Sequence, residues 1–419
     1  MNKKITKIFK RLFFAVVFLT FSSLLSSCLL GRFVFYNFAD IKDYKIFPSN
    51  SIKKAEKPFS FYYSERSKAQ FPLPENITSN GKQVPFDKFL EDHNTVAFLI
   101  IKNDSIRYEK YFNEYSKESI VPSFSMAKSF VSALVGIAVD EGYIKNIKQP
   151  ITDYLPELKN NKGFDKITIE NVLNMRSGIK FTEGYYNPFG GVSQYYYGLN
   201  IKKYIRHLKI KEEPDKEFEY ISVNTQLLAW IVERATKKQV SDYLQEKIWS
   251  PLGMEYDASW SIDSKKNKTE KAYCCINARA RDYAKFGRLY LNKGNWDGRQ
   301  IISKDWVEKS IHVPKEDNQF RFENKDYSYS YQWWHNFNYN EVSDSVTLLR
   351  TEKVYSEKDK KGIVKKYIKS SNEDFLAWGF LGQFIYVYPS ENIIIVRLGK
   401  NKGNVNWPLF FRQLCEKKM

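Results

Sequence analysis

A serine and a lysine three positions apart, Ser125 and Lys128, have the types and spacing needed for acyl-transfer chemistry. The apolar residues of the stretch 129–142 recur at helical spacing, and the stretch ends on a glycine, which predicts a core helix. Residues three apart share a helix face, so the hydroxyl and the amine can meet at its first turn. A desolvated lysine has a lowered pKa and can accept the serine proton. The sequence therefore predicts a nucleophile and its base.

The Ser-x-x-Lys pattern is weak by itself, because lysine is common here and Ser51 and Lys54 match it too. The match at Ser51 lies in a polar stretch with no apolar helix behind it. The four histidines accompany no Gly-x-Ser-x-Gly elbow, so a hydrolase triad is not predicted and they are interpreted as surface or core residues. No metal or cofactor is predicted.

The N-terminus carries five basic residues up to Arg11, an apolar run over 12–21 and the sequence Leu-Ser-Ser-Cys ending at Cys28. This pattern predicts a lipoprotein signal peptide over 1–27 and a lipid anchor on Cys28, hence a membrane-attached protein of the cell envelope. No Asp follows Cys28, which by resemblance to Gram-negative sorting favours the outer membrane, or else the periplasmic face. The alternative is a retained transmembrane helix over about 12–30, although four serines interrupt it.

Composition indicates a globular enzyme-sized protein, because 43% of the 419 residues are apolar and 16% are aromatic. The net charge is +18, and the lysines are scattered without a long basic block. This distribution favours a cationic surface near anionic lipid over nucleic-acid binding.

The remaining cysteines are Cys274, Cys275 and Cys415. Adjacent cysteines rarely bond each other, so the first two are predicted to be small buried residues. A bridge from one of them to Cys415 stays open, and no Cys-x-x-Cys spacing suggests zinc.

Hydrophobic patterns divide the chain into an extension over 28–85 and a domain over 86–419. Strand patterns near both ends, with helical patterns between them, predict an α+β fold in which N- and C-terminal strands pair in one antiparallel sheet. A Lys- and Glu-rich tract over 351–374 is predicted to be a surface insertion. The predicted elements are a hairpin over 95–112 turning at Asn103-Asp104, helices over 167–176, 224–236, 278–292 and 408–417, and a hairpin over 381–398.

Six segments, spread from the Ser125 region to the last hairpin, resemble the serine β-lactamase and penicillin-recognising superfamily, in its class C and 6-aminohexanoate-oligomer-hydrolase branch. They are Ser-Phe-Ser-Met-Ala-Lys-Ser-Phe (123–130), Val-Leu-Asn-Met-Arg-Ser-Gly-Ile (172–179), Phe-Glu-Tyr-Ile-Ser-Val-Asn-Thr-Gln-Leu-Leu (218–228), Ala-Arg-Asp-Tyr-Ala-Lys-Phe-Gly (280–287), Tyr-Gln-Trp-Trp (331–334) and Gly-Phe-Leu-Gly-Gln (379–383). The resemblance implies a β-lactamase-like fold, with an antiparallel sheet flanked by helices and an all-helical lobe.

The resemblance also implies roles for particular residues. Ser125 would be acylated with Lys128 as its base, and Tyr220, in the family's second motif, would relay protons as a tyrosinate or as a hydroxyl near the lysine. Ser222 would bond the lysine amine or the substrate. Tyr185 resembles a substrate-side tyrosine of the oligomer-hydrolase branch.

The third motif departs from the family pattern. Leu376-Ala377-Trp378-Gly379-Phe380 holds no Lys, His or Thr. Backbone N–H groups of Ser125 and Phe380 can still form an oxyanion hole. The missing cation predicts weak or no β-lactamase activity unless Arg176 or Arg397 supplies the charge, and Trp378 suggests an apolar substrate wall. Trp333 and Trp334 are interpreted as packing residues rather than as platforms for the substrate.

Two classes of function remain from the sequence. One is a serine hydrolase that cleaves small esters or amides through an acyl-enzyme. The other is a catalytically quiet envelope lipoprotein that binds peptidoglycan or another polymer; a D-amino-acid peptidase is a further alternative. The oligomeric state is left open.

Overall fold

The computed structural model describes residues 12–13, 29–36, 38–63, 71, 73–79, 81–184, 187, 189–312, 326–340, 346–347, 354–358, 364–368 and 374–416. Its α-helices are α1 (Leu29–Tyr36), α2 (Phe86–Asp92), α3 (Ala127–Asp140), α4 (Ile169–Leu173), α5 (Gly191–Tyr197), α6 (Lys202–Ile205), α7 (Ser222–Thr236), α8 (Val240–Leu244), α9 (Ala280–Leu291), α10 (Lys304–Ile311) and α11 (Trp407–Glu416). Its strands are β1 (Ser49–Ile52), β2 (Asn76–Ser79), β3 (Lys82–Pro85), β4 (Thr95–Lys102), β5 (Ser105–Tyr111), β6 (Val121–Pro122), β7 (Ile179–Lys180), β8 (Lys209–Ile210), β9 (Ala258–Ser261), β10 (Ile276–Ala278), β11 (Asn295–Trp296), β12 (Arg299–Gln300), β13 (Asp326–Ser330), β14 (Trp333–Asn340), β15 (Val346–Thr347), β16 (Val354–Lys358), β17 (Val364–Ile368), β18 (Phe375–Gly379), β19 (Gln383–Tyr388) and β20 (Ile393–Gly399).

One large antiparallel sheet organises the fold. Its strand order is β16-β17-β14-β18-β19-β20-β4-β5, and β13 also pairs with β14. The C-terminal strand β20 pairs with the N-terminal strand β4, with Ile394 opposite Ile101 and Val396 opposite Leu99. The predicted pairing of strands from the two ends of the domain is therefore confirmed.

The first hairpin of this sheet turns where the sequence predicts. Asn103 and Asp104 have φ angles of 51° and 57°. Asn and Asp tolerate this left-handed conformation better than other residues with a Cβ, and a two-residue turn of this kind matches the twist of the strands. The turn thereby sets the pairing of β4 with β5.

Helices cover both faces of the sheet. On one face lies α9, where a Cβ at Gly287 would stand 2.9 Å from Ile385 Cγ2 and 3.0 Å from Ile394 Cγ2, so glycine permits the close approach. On the other face lies α11, whose Phe411 ring centroid is 5.4 Å from that of Phe384. The sheet is thus buried on both sides, as its continuous apolar strands require.

A helical lobe lies between the two groups of strands in the chain. Its central helix α3 is buried almost throughout and packs on α7. Gln332 joins three segments of this lobe: its Nε2 donates to Leu173 O at 2.7 Å, its Oε1 accepts from Thr225 at 2.6 Å, and its carbonyl accepts from Ser129 at 2.8 Å. The α+β prediction, with an antiparallel sheet flanked by helices and a helical lobe, is confirmed.

Two segments outside the main elements take part in sheets. In the extension, β1 pairs with β9 in the second sheet, whose order is β1-β9-β10-β6. In the tract predicted as a surface insertion, the described residues form β16 and β17, which extend the main sheet beyond β14. None of the helices in the described ranges combines the length and apolarity needed to cross a membrane.

Candidate active site

Ser125 lies in a single 3₁₀ turn, Phe124–Met126, that leads directly into α3. The preceding residue, Phe124, has a φ of 44°, a conformation that costs free energy for a residue with a Cβ. Ser125 is 8% exposed, whereas Phe124 and Met126 on either side of it are fully buried. A strained turn held by its surroundings fixes the direction of the Ser125 hydroxyl.

Lys128 is buried one turn further along, and its Nζ has three neighbours. It lies 3.0 Å from Ser125 Oγ, 3.1 Å from Ser222 Oγ and 2.9 Å from the carbonyl oxygen of Tyr273. Burial lowers the pKa of Lys128 to about 8, although the carboxyl of Glu183 opposes the shift. A neutral amine has two N–H donors and one lone pair. With Ser222 and Tyr273 as acceptors, its lone pair is left for the Ser125 proton.

Tyr220 completes the group around the serine. Its hydroxyl is within hydrogen-bonding reach of Ser125, and Lys128 Nζ lies 5.1 Å from the centre of its ring. Burial raises the pKa of Tyr220 far above its usual value, so the side chain is a neutral phenol. Of the two forms the sequence left open, the hydroxyl near the lysine is the one that this environment favours.

Glu183 is a member of this group that the sequence analysis missed. Its carboxylate accepts two hydrogen bonds from Ser222, at 2.7 Å from the backbone N–H and at 2.5 Å from the hydroxyl. Burial raises the pKa of Glu183, while Lys128 and the two Ser222 bonds lower it. The only signal in the sequence is its place two residues before Tyr185. Its contact with Ser222 is set by the tertiary fold.

The third-motif strand runs beside the Ser125 turn. A Cβ at Gly379 would collide with the carbonyl oxygen of Ser123, so the close approach requires glycine. The rings of Phe124 and Phe380 are 5.7 Å apart, which places the Phe380 backbone next to the serine turn.

Aromatic rings continue from Tyr220 along this strand. Ring centroids are 5.3 Å apart for Tyr220 and Trp334 and 5.8 Å apart for Trp334 and Trp378. Trp333 instead is fully buried in the core. The structure therefore separates the two neighbouring tryptophans: Trp333 is a packing residue, whereas Trp334 borders the site.

The two arginines considered as sources of positive charge, Arg176 and Arg397, bind other groups of the protein. Arg397 is fully buried and donates to the carbonyl oxygens of Gly382 and His93 at 2.6 and 2.8 Å. Arg176 pairs with Asp215 at 3.2 Å. A different cation, Lys402, lies near the third motif, with its Nζ 4.5 Å from the centre of the Trp378 indole. It comes from the loop after β20, which the sequence did not indicate.

The prediction that Cys274 and Cys275 do not bond each other was wrong. They form a disulfide, while Cys415 is a buried free thiol, so neither is bridged to it. Cys275 takes a φ of 74°, which lets the two sulfur atoms meet across one peptide unit. The bonded pair directly follows Tyr273, whose carbonyl contacts Lys128, and therefore restrains the backbone at that contact.

Other predicted residues lie outside the site or outside the described residues. Tyr185 and Cys28 fall in the undescribed part of the chain. His335 is buried, and burial lowers its pKa to about 3. His93 bonds the carbonyl oxygen of Phe89 at 2.7 Å. In the described ranges, no three His, Cys, Asp or Glu side chains gather as metal ligands would.

Comparison with known proteins agrees with this fold. A 6-aminohexanoate-dimer hydrolase of Paenarthrobacter ureafaciens is 29% identical over 260 residues, which are 58% of this chain and 65% of the relative, just under two thirds of its length. A solved structure described as a putative 6-aminohexanoate-dimer hydrolase from Bacillus anthracis superposes with a TM-score of 0.70 at 24% identity, covering 92% of each chain. A class C β-lactamase solved with cefoxitin superposes with a TM-score of 0.54 at 13% identity, covering 78% of this chain and 95% of that one. The Beta-lactamase family model matches residues 86–405, more than half of the sequence, and the chain therefore belongs to the beta-lactamase family.

Proposed function

We propose that the protein is a serine hydrolase that forms an acyl-enzyme on Ser125 and cleaves small esters or amides. The observation that carries the proposal is the environment of Lys128. Its amine is buried, its pKa is lowered to about 8, and two acceptors direct its lone pair to the Ser125 hydroxyl 3.0 Å away. A binding protein has no need for such an arrangement, and so the quiet-lipoprotein alternative is disfavoured.

Acylation begins when neutral Lys128 accepts the Ser125 proton and Oγ attacks the substrate carbonyl carbon. The backbone N–H groups of Ser125 and Phe380 stabilise the resulting oxyanion. The intermediate collapses as the bond to the alcohol or amine breaks. Tyr220 gives its proton to that leaving group and recovers one from the Lys128 ammonium.

Deacylation uses the same residues in the reverse order. Water gives a proton through Tyr220 to Lys128 and attacks the acyl carbon. The bond to Ser125 Oγ then breaks, the carboxylic acid leaves, and the Oγ regains a proton. Because the base is the neutral amine, the rate of acylation is expected to rise as pH increases through about 8.

The substrate class follows from the third motif and from the similarity to relatives. The third-motif strand holds no Lys or His, and Trp378 lies on it beside Trp334, so a neutral apolar acyl group suits this wall better than a carboxylate. The name of the Paenarthrobacter relative specifies hydrolysis of a 6-aminohexanoate dimer, which extends the proposal from esters to amides. Weak or no β-lactamase activity is expected.

Labelling with a fluorophosphonate probe tests the acyl-serine proposal. Wild type should gain one adduct on Ser125, whereas Ser125→Ala should lose both the adduct and turnover of p-nitrophenyl butyrate. Lys128→Ala should lose nearly all labelling and turnover, and its melting temperature should stay that of wild type. The matched control is Ser51→Ala, which removes the serine of a chance Ser-x-x-Lys match and should change nothing. Undiminished esterase activity in Ser125→Ala would refute the proposal.

The ratio of kcat/KM for p-nitrophenyl butyrate and nitrocefin tests the substrate class. Wild type should prefer the neutral ester. A preference for nitrocefin would contradict the argument from Trp378, and Lys402, which lies over that indole, would then be the candidate carboxylate partner.

We further propose that the mature protein is held in the cell envelope by a lipid on Cys28. The support is the order of basic, apolar and Leu-Ser-Ser-Cys segments in the first 28 residues. A palmitate analogue should label wild type, and Cys28→Ala should lose the label and leave the membrane fraction. If Cys28→Ala remains there as an uncleaved chain, the segment is a transmembrane anchor instead.

A further inference from the structure

Three large apolar side chains are exposed close together in the first described segment after Cys28. Val34 is 70% exposed, Phe35 is 74% exposed and Phe38 is 50% exposed. Val34 and Phe35 belong to α1, and Phe38 lies two residues after its end. Single exposed apolar residues are ordinary, but a cluster of this kind in so short a stretch marks an interaction surface.

The opposite side of α1 is firmly attached to the helical lobe. Arg32 Nε donates to the carbonyl oxygen of Tyr197 at 2.8 Å, and the rings of Phe33 and Tyr197 are 5.4 Å apart. Further along the chain, the Tyr196 hydroxyl donates to Asp43 at 2.7 Å. The exposed side chains are therefore held at a defined place on the lobe.

A second part of the chain adds apolar and basic groups beside this helix. Leu199, two residues after Tyr197, is exposed. Its carbonyl oxygen accepts a hydrogen bond of 2.6 Å from Asn267 Nδ2, which ties it to a loop with three lysines. These are Lys265, Lys266 and Lys268.

We propose that Val34, Phe35, Phe38 and Leu199, together with these lysines, form a surface that lies on the membrane and contacts anionic lipid. Apolar and aromatic side chains bordered by lysines are the combination that binds the interface of an anionic bilayer. The inference rests on the proposed envelope anchoring but goes beyond it, since a lipid on Cys28 alone would leave the domain free to tumble.

The position of α1 in the sequence selects lipid as the occupant. Cys28 immediately precedes Leu29, and the proposed attachment to the bilayer is at this point whether the segment is a lipidated terminus or a retained span. A helix of eight residues is only about 12 Å long. All of α1 consequently stays within the interfacial region of the bilayer.

This contact also orients the active site. The segment that contains α1 is bonded to Tyr196 and Tyr197, which are the last residues of α5. At the start of α5, Val192 N donates to the carbonyl oxygen of Thr182 at 3.0 Å. Thr182 directly precedes Glu183, which binds Ser222. Contact of this surface with lipid therefore sets how the active site is turned relative to the bilayer and leaves the geometry inside the site unchanged.

Fluorescence quenching in vesicles tests the proposal on the full chain. The protein carrying Leu199→Cys, labelled with bimane, is reconstituted into phosphatidylcholine–phosphatidylglycerol vesicles that contain a headgroup quencher. Tyr62→Cys and Tyr143→Cys, at exposed aromatic positions elsewhere, are the matched controls. Residue 199 is remote from Cys28 in sequence, so tethering alone does not bring it to lipid. Its label should be quenched about threefold more strongly than the control labels.

Charge reversal supplies the second arm. Lys265→Glu with Lys266→Glu should reduce quenching at position 199 and leave hydrolysis of soluble p-nitrophenyl butyrate unchanged. Equal quenching at all three positions, in protein that does partition into vesicles, would overturn the surface but not the anchor. Protein that does not partition would overturn both. Energy transfer between labels at position 199 would identify a second copy as the occupant and would also overturn the proposal.

Discussion

Replacing Glu183 by Gln should move the pH profile of hydrolysis toward lower pH. The substitution keeps the shape of the side chain and an acceptor for Ser222, but removes the negative charge near Lys128. That charge stabilises the ammonium form and so raises the pKa of Lys128 against the effect of burial. Without it, the neutral amine that accepts the Ser125 proton forms at lower pH.

The size of the shift follows from the geometry. One hydroxyl bridges the two groups, with 3.1 Å from Lys128 Nζ to Ser222 Oγ and 2.5 Å from there to Glu183, so the charges are at most about 5.6 Å apart. At an effective dielectric constant of about 20, two unit charges at this distance interact by about 3 kcal/mol, or about 2 pH units. Burial raises the pKa of Glu183 and reduces its ionised fraction, so we expect a shift of about 1 to 2 units.

The assay is kcat/KM for p-nitrophenyl butyrate between about pH 5 and 10, a range that brackets the Lys128 titration. In wild type, the ascending limb should lie near the Lys128 pKa of about 8, and in Glu183→Gln it should lie lower. The matched control is Glu233→Gln, which removes a carboxylate further along α7 that pairs with Lys202 at 2.9 Å rather than with Ser222. Its limb should not move.

An unshifted limb in Glu183→Gln would refute the reasoning, since it would mean that the carboxyl carries no charge while Lys128 titrates. A limb that moves to higher pH would show that the substitution disrupts the Ser222 contact more than it alters the charge.

Three other substitutions test separate parts of the site. Tyr220→Phe removes the proton relay and should lower kcat by about 10²-fold or more with little change in melting temperature; wild-type turnover would exclude the relay. Replacing both Cys274 and Cys275 by Ala releases the backbone that presents the Tyr273 carbonyl to Lys128 and should lower kcat/KM about tenfold, whereas a loss in melting temperature alone would indicate a purely structural bond. Ala377→Lys introduces a cation on the third-motif strand and should raise the nitrocefin-to-butyrate ratio of kcat/KM about tenfold, a fixed ratio showing that the new charge does not reach the substrate.

Local patterns predicted much of the fold. The turn at Asn103-Asp104, the helix after Ser125 and the pairing of the terminal strands can be read from periodicity and from residues that favour turns. The proximity of Ser125, Lys128, Tyr220 and Ser222 followed from family motifs, since the tyrosine and the lysine are too far apart in sequence for spacing to relate them.

Contacts set by the tertiary fold could not be predicted in this way. Glu183 meets Ser222 because the segment after β7 folds back over the start of α7. Lys402 reaches Trp378 from a loop beyond two further strands. The Cys274–Cys275 bond depends on a left-handed Cys275, which is uncommon for a residue with a side chain, and so the general rule against adjacent pairing failed here.

The pairing of β4 with β20 has a consequence for when the protein can become active. Nearly the whole domain separates these strands in sequence, and the third-motif strand β18 beside Ser125 also comes late in the chain. The central sheet therefore cannot close during synthesis until its last strands have emerged, and contacts of such long range fold slowly. A chain truncated before β18 would carry Ser125, Lys128 and Tyr220 without the strand that completes their surroundings. Because of this strand order, the active site stays incomplete until nearly the whole chain has been synthesised.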